Sequence, residues 1–373
     1  MNFQLNDEQQ MLADSARNFV RDHSDVETHR RNRMQMELDQ ATWKQFAELG
    51  WLAVPFAEEH GGLGLGVTDT MVLLETLGEG LIMAPYIATV VLGGGFLRRA
   101  ASSVQNENIP ALIEGSLQMA FAAEEYERLF SLDNTAMRGE LDGGDVVING
   151  TKACVLNGDH ADLLVVLVRT AGEPGQREGL SLLLVDAGAE GIERLPHRTV
   201  DGRQGAEIRF NQVRVARSVL IGELHQGADI AEAVLQEGLL AISAECVGSL
   251  SVLLNQTIEY SKTRQQFGVP IGKFQVLQHR MTDMFIHMEQ TRSLLLAATL
   301  KYAAGHDDAA RAVHAMKAQL GRAGRKILQE AIQIHGGMGM TDEMGVGHYA
   351  KRVTAADGMF GSADRHLMAM AAR

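Results

Sequence analysis

The residues best suited to chemistry in this chain lie in two glycine-containing segments that are far apart in the sequence. The first is Thr-Arg-Gln-Gln-Phe-Gly at residues 263–268, and the second is Gln-Ile-His-Gly-Gly-Met-Gly-Met at residues 333–340. Arg264 can hold a pair of phosphate oxygens with its guanidinium group. Adjacent glycines let backbone N–H groups approach an anion without a Cβ in the way. Together, these segments predict a site for a phosphate-containing ligand.

The pattern of apolar residues divides the chain into three regions and predicts an α+β protein. Residues 1–115 have apolar side chains at helical spacing, whereas residues 116–225 contain short apolar runs bounded by Gly, Asp and Asn. We expect those runs to be strands of a small antiparallel barrel or sandwich. Residues 226–373 return to helical spacing in four long segments, predicting a four-helix bundle. Both glycine-containing segments therefore fall at helix ends or tight turns.

Composition and charge exclude several classes of protein. The chain has 373 residues, 46% of them apolar, and a formal charge of −13. That charge argues against general binding to nucleic acid or to an anionic membrane surface. Two cysteines suffice for neither a disulfide framework nor a zinc site. No leader pattern is evident near Met1, and no run approaches about eighteen apolar residues, so the sequence predicts a cytoplasmic protein without a membrane span.

The two segments resemble the FAD-binding signatures of acyl-CoA dehydrogenases. The first continues as Pro-Ile-Gly-x-Phe-Gln at residues 270–275, and Asn-Gly-Thr-Lys at residues 149–152 resembles the strand pair beside the flavin in that family. The resemblance implies that the arginine segment of one subunit holds the FAD pyrophosphate and that the Gln-x-x-Gly-Gly segment of a neighbouring subunit reaches the adenosine. The FAD-binding residues it implies are Arg264, Gln266, Phe267, Phe274, Gln275, Gln333, Ile334, Gly336 and Gly337.

This resemblance also implies a fold, a reaction and partners. The expected fold has an N-terminal helical domain (1–115), a middle β domain (116–225) and a C-terminal helical bundle (226–373). The expected reaction is α,β-dehydrogenation of an acyl-CoA thioester, in which a carboxylate removes the α-proton and the β-hydrogen leaves as hydride to the flavin. An electron-transfer flavoprotein-type acceptor and an assembly of four chains are implied as well.

The sequence departs from the family at the catalytic base. Gap-free counting places Phe360 at the position of the usual glutamate, and Gly238 at the position used by a second branch of the family. Neither residue accepts a proton. Glu245 lies seven residues after Gly238 on the same helical face, and Glu237 is adjacent to Gly238 but points elsewhere. We therefore predict Glu245 as the base if the chain is catalytic, or as a buried structural carboxylate if it is not. Glu237 is expected to be solvated.

The middle region departs from the family as well. Residues 121–127 lack the Thr-Glu-Pro and the glycine turn that contact the flavin ring in relatives, and Cys154 begins the stretch where relatives have Trp-x-Thr. With Phe360, this pattern is similar to the small subunit of pimeloyl-CoA dehydrogenase, which acts with a larger homologous subunit. The sequence therefore leaves two roles open: a dehydrogenase subunit in a homo- or heterotetramer, or a non-catalytic partner that completes a neighbour's FAD site.

Three further groups of residues carry weaker expectations. His335 is predicted to be a loop residue beside FAD, and the other histidines are expected at the surface. The methionines at positions 281, 284 and 288 have helical spacing and are expected in the core. Lys351 and Arg352 are either a CoA-phosphate contact or a solvated pair.

Overall fold

A computed structural model of the protein describes residues 5–34, 39–126 and 131–371. The helices in these ranges are α1 (Asp7–His23), α2 (Val26–Met34), α3 (Gln40–Glu48), α4 (Val67–Glu79), α5 (Gly94–Leu97), α6 (Ser102–Ile113), α7 (Gly227–Thr263), α8 (Gln275–Ala303), α9 (Ala309–His335), α10 (Gly345–Gly358) and α11 (Ala363–Ala371). The strands are β1 (Met119–Ala122), β2 (Arg138–Asp142), β3 (Asp145–Leu156), β4 (Leu163–Arg169), β5 (Leu180–Asp186), β6 (Ile192–Arg198), β7 (Gln204–Ala216), β8 (Leu220–Ile221), β9 (Gln265–Gln266) and β10 (Val269–Pro270).

The order of these elements confirms the predicted α+β class. Helices come first, a sheet occupies the middle of the chain, and helices follow to the end. By internal contacts the chain forms two compact units. The first comprises residues 1–35, 67–83 and 239–373, and the second comprises residues 36–66 and 84–238. These contact units interleave along the sequence, and the three predicted sequence domains stay a prediction.

The second unit is built on one eight-stranded sheet. The strand order is β6-β7-β3-β2-β4-β5-β8, and β1 pairs with β4. Most neighbours are antiparallel, as expected, but β1 and β2 each run parallel to β4. Strands β4 and β5 are apolar and buried along nearly their whole length, which explains why their runs were recognisable in the sequence. The predicted strands are therefore confirmed.

The first unit is helical, and its tightest packing lies where α4 meets α7. A Cβ on Gly78 would overlap the carbonyl of Glu245, and a Cβ on Gly248 would overlap the carbonyl of Glu75. The Ser249 hydroxyl also donates to the Gly78 carbonyl at 2.8 Å. Only small residues permit two helix backbones to approach this closely. This contact fixes the part of α7 that carries Glu245.

The last of the four predicted C-terminal helices is in fact two helices, so that expectation is wrong. Residues 359–362 form a turn between α10 and α11. Phe360 has a φ of +58° and Gly361 has a φ of +106°, and neither value is compatible with a continuing α-helix. The turn therefore places Phe360 outside any helix.

Helix α7 is long and apolar enough to cross a membrane by length and composition alone. However, 89% of its most apolar window is buried inside the protein. The same helix carries the buried carboxylates Glu237 and Glu245. A central helix of a folded core has these properties, because it is surrounded by other elements on all sides.

The α4–α7 contact generates a stability prediction. Gly248→Ala should lower the free energy of unfolding by at least about 2 kcal/mol, because the new methyl group meets a carbonyl that cannot rotate away. Gly144→Ala is the control, since a Cβ there has no heavy atom within 4 Å and the residue does not have a positive φ. Urea unfolding measures both variants. Equal midpoints for the two would contradict the described packing.

Candidate functional site

Arg264 begins a short hairpin directly after α7. Its amide is bonded to the Tyr260 carbonyl, and its own carbonyl accepts from Ile271 N at 2.8 Å. Strands β9 and β10 pair antiparallel beyond it. The Arg264 side chain is exposed, and within the described parts of the chain its guanidinium has no hydrogen bond or ion pair. The hairpin thus presents a full positive charge that is available to an anionic ligand.

Side chains around the hairpin tip are available as well. Gln266 and Gln275 are exposed. Phe267 is 92% exposed and has a φ of +53°, a conformation that costs energy for a residue with a side chain. Its ring lies edge-on to the half-buried Phe274, with centroids 6.1 Å apart. A strained, exposed phenylalanine is typical of a surface that is covered by a ligand or another chain.

The glycine segment follows the end of α9 and leaves open space. Gly336 has a φ of +62°, and a Cβ on Gly336 or Gly337 would meet no heavy atom within 4 Å. Gln333 is exposed, whereas Ile334 is buried at 7% exposure. Of these predicted residues, Gln333 offers its side chain and the glycines offer their backbone, while the Ile334 side chain is part of the core.

Tyr260 and His335 join the two segments within a single chain. Their rings stack with centroids 4.3 Å apart, and the Tyr260 hydroxyl lies 3.5 Å from the His335 carbonyl. His335 Nδ1 donates to the Ala331 carbonyl at 2.8 Å, and burial lowers the pKa of His335. The end of α7, which leads into the Arg264 hairpin, therefore packs against the end of α9. The expectation that the two motifs reach FAD from different subunits stays a prediction. The assignment of His335 to a loop is wrong, since it is the buried last residue of α9.

These observations fit the group that the resemblance implies. The hairpin after α7 has a free guanidinium and exposed glutamines, and open glycines follow α9; the Tyr260–His335 stack joins the ends of these two helices. The guanidinium suits a pyrophosphate, and the glycine amides suit polar atoms of a nucleotide. The residues present can therefore hold the pyrophosphate side of FAD, with Arg264 making the charged contact and residues 333–337 supplying the others.

The segment that lacks the flavin-contacting motif is held by a buried lysine. Lys152 Nζ donates to the Ala123 carbonyl at 3.0 Å and to Glu125 Oε1 at 2.8 Å. Glu125 also accepts the amides of Ala136 and Met137. Burial lowers the pKa of Lys152. Of residues 121–127, Glu127 lies outside the described residues, and the ion pair between Lys152 and Glu125 fixes the described part.

Glu245 forms a buried ion pair with Arg352. Glu245 is 4% exposed and Arg352 is 3% exposed, and Glu245 Oε2 lies 2.6 Å from Arg352 Nη2. Breaking such a pair costs about 3–5 kcal/mol, because it leaves a charge buried without compensation. Taking a proton from a substrate would require Glu245 to leave Arg352, so this geometry favours a structural role for Glu245. Arg352 is not a solvated residue, and Lys351 pairs instead with Asp342.

Glu237 is also paired, which corrects the expectation that it is solvated. It is 7% exposed and is bonded to both Arg98 and Arg99, with a distance of 2.7 Å from Arg99 Nη2 to Oε1. The Arg98 guanidinium additionally lies 5.8 Å above the ring of Phe56. Both acids considered as alternatives to Phe360 are therefore held by arginines. The sequence did not indicate Arg98 and Arg99 as partners of Glu237, and it suggested other roles for Arg352 than pairing with Glu245.

Histidine and methionine burial is only partly as expected. His348 and His366 are 2% and 4% exposed, so placing every histidine other than His335 at the surface is wrong. Met284 and Met288 are buried and Met281 is half-buried, which agrees with their predicted place in the core.

The hairpin geometry predicts how FAD binding depends on Arg264. Arg264→Ala should weaken FAD binding roughly 10- to 100-fold, since one charge-assisted hydrogen-bonded contact is lost. Arg311→Ala is the matched control, because Arg311 is an exposed arginine on α9 away from the hairpin. Flavin content after purification and a fluorescence titration measure both. Full FAD occupancy of the Arg264 variant would remove this residue from the site.

Comparisons with known proteins show the family of this chain. Models described as acyl-CoA dehydrogenase N-terminal domain, middle domain and C-terminal domain match residues 6–116, 120–213 and 225–373. The chain is 30% identical over 359 residues to the L-prolyl-(peptidyl-carrier protein) dehydrogenase of a Serratia species, covering 93% of this chain and 91% of the relative. Among solved structures, the FAD complex of PigA has a TM-score of 0.92 at 28% identity and covers 100% of this chain and 98% of its own.

A second solved structure shows the fold alone. The ChsE4–ChsE5 complex from Mycobacterium tuberculosis has a TM-score of 0.91 at 24% identity and covers 100% of this chain and 98% of its own. The family models together span most of the sequence, and the C-terminal one contains both the Arg264 hairpin and the glycine segment. The protein belongs to the acyl-CoA dehydrogenase family, whose members are FAD-dependent oxidoreductases that act on CH–CH bonds.

Proposed function

We propose that this chain is the FAD-holding small subunit of a heteromeric acyl-CoA dehydrogenase, and that a larger homologous subunit provides the catalytic carboxylate. One observation carries the proposal. The chain has an exposed Arg264 without an ion pair among the described residues, whereas Glu237 and Glu245 are both paired with buried or half-buried arginines. A binding site is preserved and a base is not.

The chemistry divides between cofactor and protein. FAD, when bound, accepts the hydride that leaves the β-carbon of the thioester. Arg264 binds the pyrophosphate through charge-assisted hydrogen bonds, and residues 333–337 supply further contacts. The Tyr260–His335 stack packs the end of α7, before the Arg264 segment, against the end of α9, before the glycines. A carboxylate must take the α-proton. The sequence predicts Glu245 for that task in this chain, whereas the proposal assigns it to the larger subunit, because Glu245 is paired with Arg352.

Two solved structures with a similar fold contain two different chains, and this supports a heteromeric form of the protein. The ChsE4–ChsE5 structure is a complex of two differently named chains, and the Tcur3481–Tcur3483 steroid dehydrogenase, also similar in fold, is another. We infer a tetramer with a larger subunit and an electron-transfer flavoprotein-type acceptor. The pimeloyl-CoA small-subunit type stays a suspicion from the sequence, and the location in the cytoplasm stays a prediction.

A second substrate class follows from the Serratia relative. Its name gives a prolyl group on a peptidyl-carrier protein, which is also a thioester substrate. The identity extends along 93% of this chain. A carrier-protein thioester is therefore the alternative to acyl-CoA, and a panel that presents the same acyl groups on CoA and on a carrier protein separates the two.

A visible spectrum distinguishes the subunit roles. We expect the chain purified with its partner to carry FAD and to be bleached by an acyl thioester under anaerobic conditions. We expect the chain purified alone to bind added FAD through Arg264 but to remain unbleached. Phe360 and Gly238 occupy the two positions where the family has its base, and the nearby Glu237 and Glu245 are paired with arginines. Bleaching of the isolated chain by any member of the panel would contradict the division of labour.

Glu245→Gln tests the same division from the opposite side. If Glu245 is the base, flavin reduction falls roughly 10²- to 10⁴-fold while stability is retained. We expect the other result: a rate close to that of the unaltered complex and a loss of roughly 3 kcal/mol in stability, because Arg352 is left buried without its partner. Glu259→Gln is the control, since Glu259 is an exposed carboxylate on the same helix. Stopped-flow reduction and urea unfolding give the two readouts.

A further inference from the structure

The turn between α10 and α11 has an unusual backbone for its sequence. Phe360 has a φ of +58°, and Gly361 follows with a φ of +106°. A phenylalanine in the left-handed region is strained, and such strain persists only where the surroundings hold it. The Phe360 side chain is half-buried rather than packed fully into the core. The surroundings of this turn therefore need to account for its conformation.

Lys317 on α9 holds two carbonyls of the turn. Its Nζ donates to the Asp357 carbonyl at 3.0 Å and to the Gly361 carbonyl at 2.9 Å. The side chain is fully buried, and burial lowers the pKa of Lys317 to about 8. Within the described residues its amine has no carboxylate within ion-pair distance. A buried lysine without an ion pair is rare, and this one is used to fix backbone on both sides of Phe360.

A histidine pair holds the carbonyl of Phe360 itself. His366 Nε2 lies 2.9 Å from the Phe360 carbonyl, and His366 Nδ1 lies 2.9 Å from His314 Nδ1. The carbonyl only accepts, so His366 carries its proton on Nε2 and accepts a hydrogen bond from His314 Nδ1–H at its other nitrogen. Burial lowers the pKa of His366 to about 4, which keeps the ring neutral at neutral pH. The carbonyls of Asp357, Phe360 and Gly361 thus accept hydrogen bonds from two side chains, Lys317 and His366.

Asp357 and Gly321 complete the attachment of the turn to α9. A Cβ on Gly321 would overlap Asp357 Oδ1, so the turn lies directly against the α9 backbone. Asp357 Oδ1 accepts the Ala363 amide, and its Oδ2 accepts from Arg325 at 3.0 Å. The contacts on both sides of residue 360 leave its backbone little freedom.

We propose that Lys317 is a positioning residue, and that it holds the turn at 357–361 so that the side chain at position 360 occupies a fixed place beside the thioester. The backbone at Phe360 is then fixed by hydrogen bonds, as the backbone of a reacting residue needs to be. The proposal rests on the proposed function for the identity of the thioester site, whereas the attachment of the turn rests on the contacts above. The chain thus keeps the positioning device for a catalytic side chain that it does not carry.

The first test measures the turn without reference to activity. In the FAD-loaded complex, Lys317→Met should raise hydrogen exchange at the amides of Met359 and Gly361 at least about tenfold, because both carbonyl contacts are lost. These amides are bonded within the turn region, to Ala355 O and Gly358 O. Lys326→Met is the matched control, since Lys326 is an exposed lysine of the same helix paired with Glu330. It should leave both rates unchanged.

A second test measures whether a glutamate at position 360 can act as the base. Phe360→Glu should give the chain its own flavin reduction by an acyl thioester, at least roughly 10²-fold above the unaltered chain. Adding Lys317→Met should then lower kcat about tenfold or more and leave KM unchanged, since the base is misplaced and the substrate contacts are intact. Adding Lys326→Met should change neither constant.

The outcomes separate this proposal from the proposed function. Unchanged exchange in Lys317→Met overturns the positioning role, and so does a Phe360→Glu chain that binds FAD without gaining any reduction. Loss of FAD from every variant, the Lys326 control included, counts instead against the proposed function. Lys317→Gln is the second variant if Lys317→Met does not fold; its side chain is one bond shorter, and faster exchange at the same two amides is expected.

Discussion

Buried cations organise the irregular segments of this chain, because an ammonium or guanidinium group in a folded interior must have its N–H groups satisfied. Arg169 donates to five carbonyls of residues 133–178, and Lys152 holds the segment at 123–125. Lys317 does the same for the turn around Phe360. In each case a strained or non-repetitive stretch is fixed by a cation from a regular element. Segments that would otherwise be loops become rigid parts of the units that contain them.

The same constraint accounts for the pairing of Glu237 and Glu245. A buried arginine is stabilised by an ion pair with a carboxylate, and Arg352 forms such a pair with Glu245. Arg98 and Arg99 take Glu237 in the same way. Each pair uses the carboxylate for structure, and neither glutamate can be protonated without leaving its arginine buried and uncompensated. Arg264 is the contrasting case, since it is exposed and has no partner within the described residues. Glu237 and Glu245 are thus paired within the chain, whereas the exposed Arg264 is available to a ligand.

Much of the fold was predictable because its signals are local. The strands β4 and β5 are continuous apolar runs, and α7 to α9 follow a helical period with few prolines. The FAD segments were found from motif chemistry. The break between α10 and α11 was missed although Gly358 and Gly361 flank Phe360. Contacts from Lys317 on α9 and His366 on α11 hold this turn, and they have no signature at residues 358–361. The partners of Glu237 and Glu245 were missed for the same reason: an ion pair between distant residues has no signature in either neighbourhood.

The central claim is that this chain holds FAD but leaves proton abstraction to a partner. A structure of the FAD-loaded complex with a non-reacting acyl thioester tests it most directly, through the distance from each carboxylate to the substrate α-carbon. The account predicts that the carboxylate within proton-transfer reach, roughly 3–3.5 Å, belongs to the larger subunit, and that Glu245 remains on Arg352. A Glu245 carboxylate that has left Arg352 and lies within that distance of the α-carbon would contradict it.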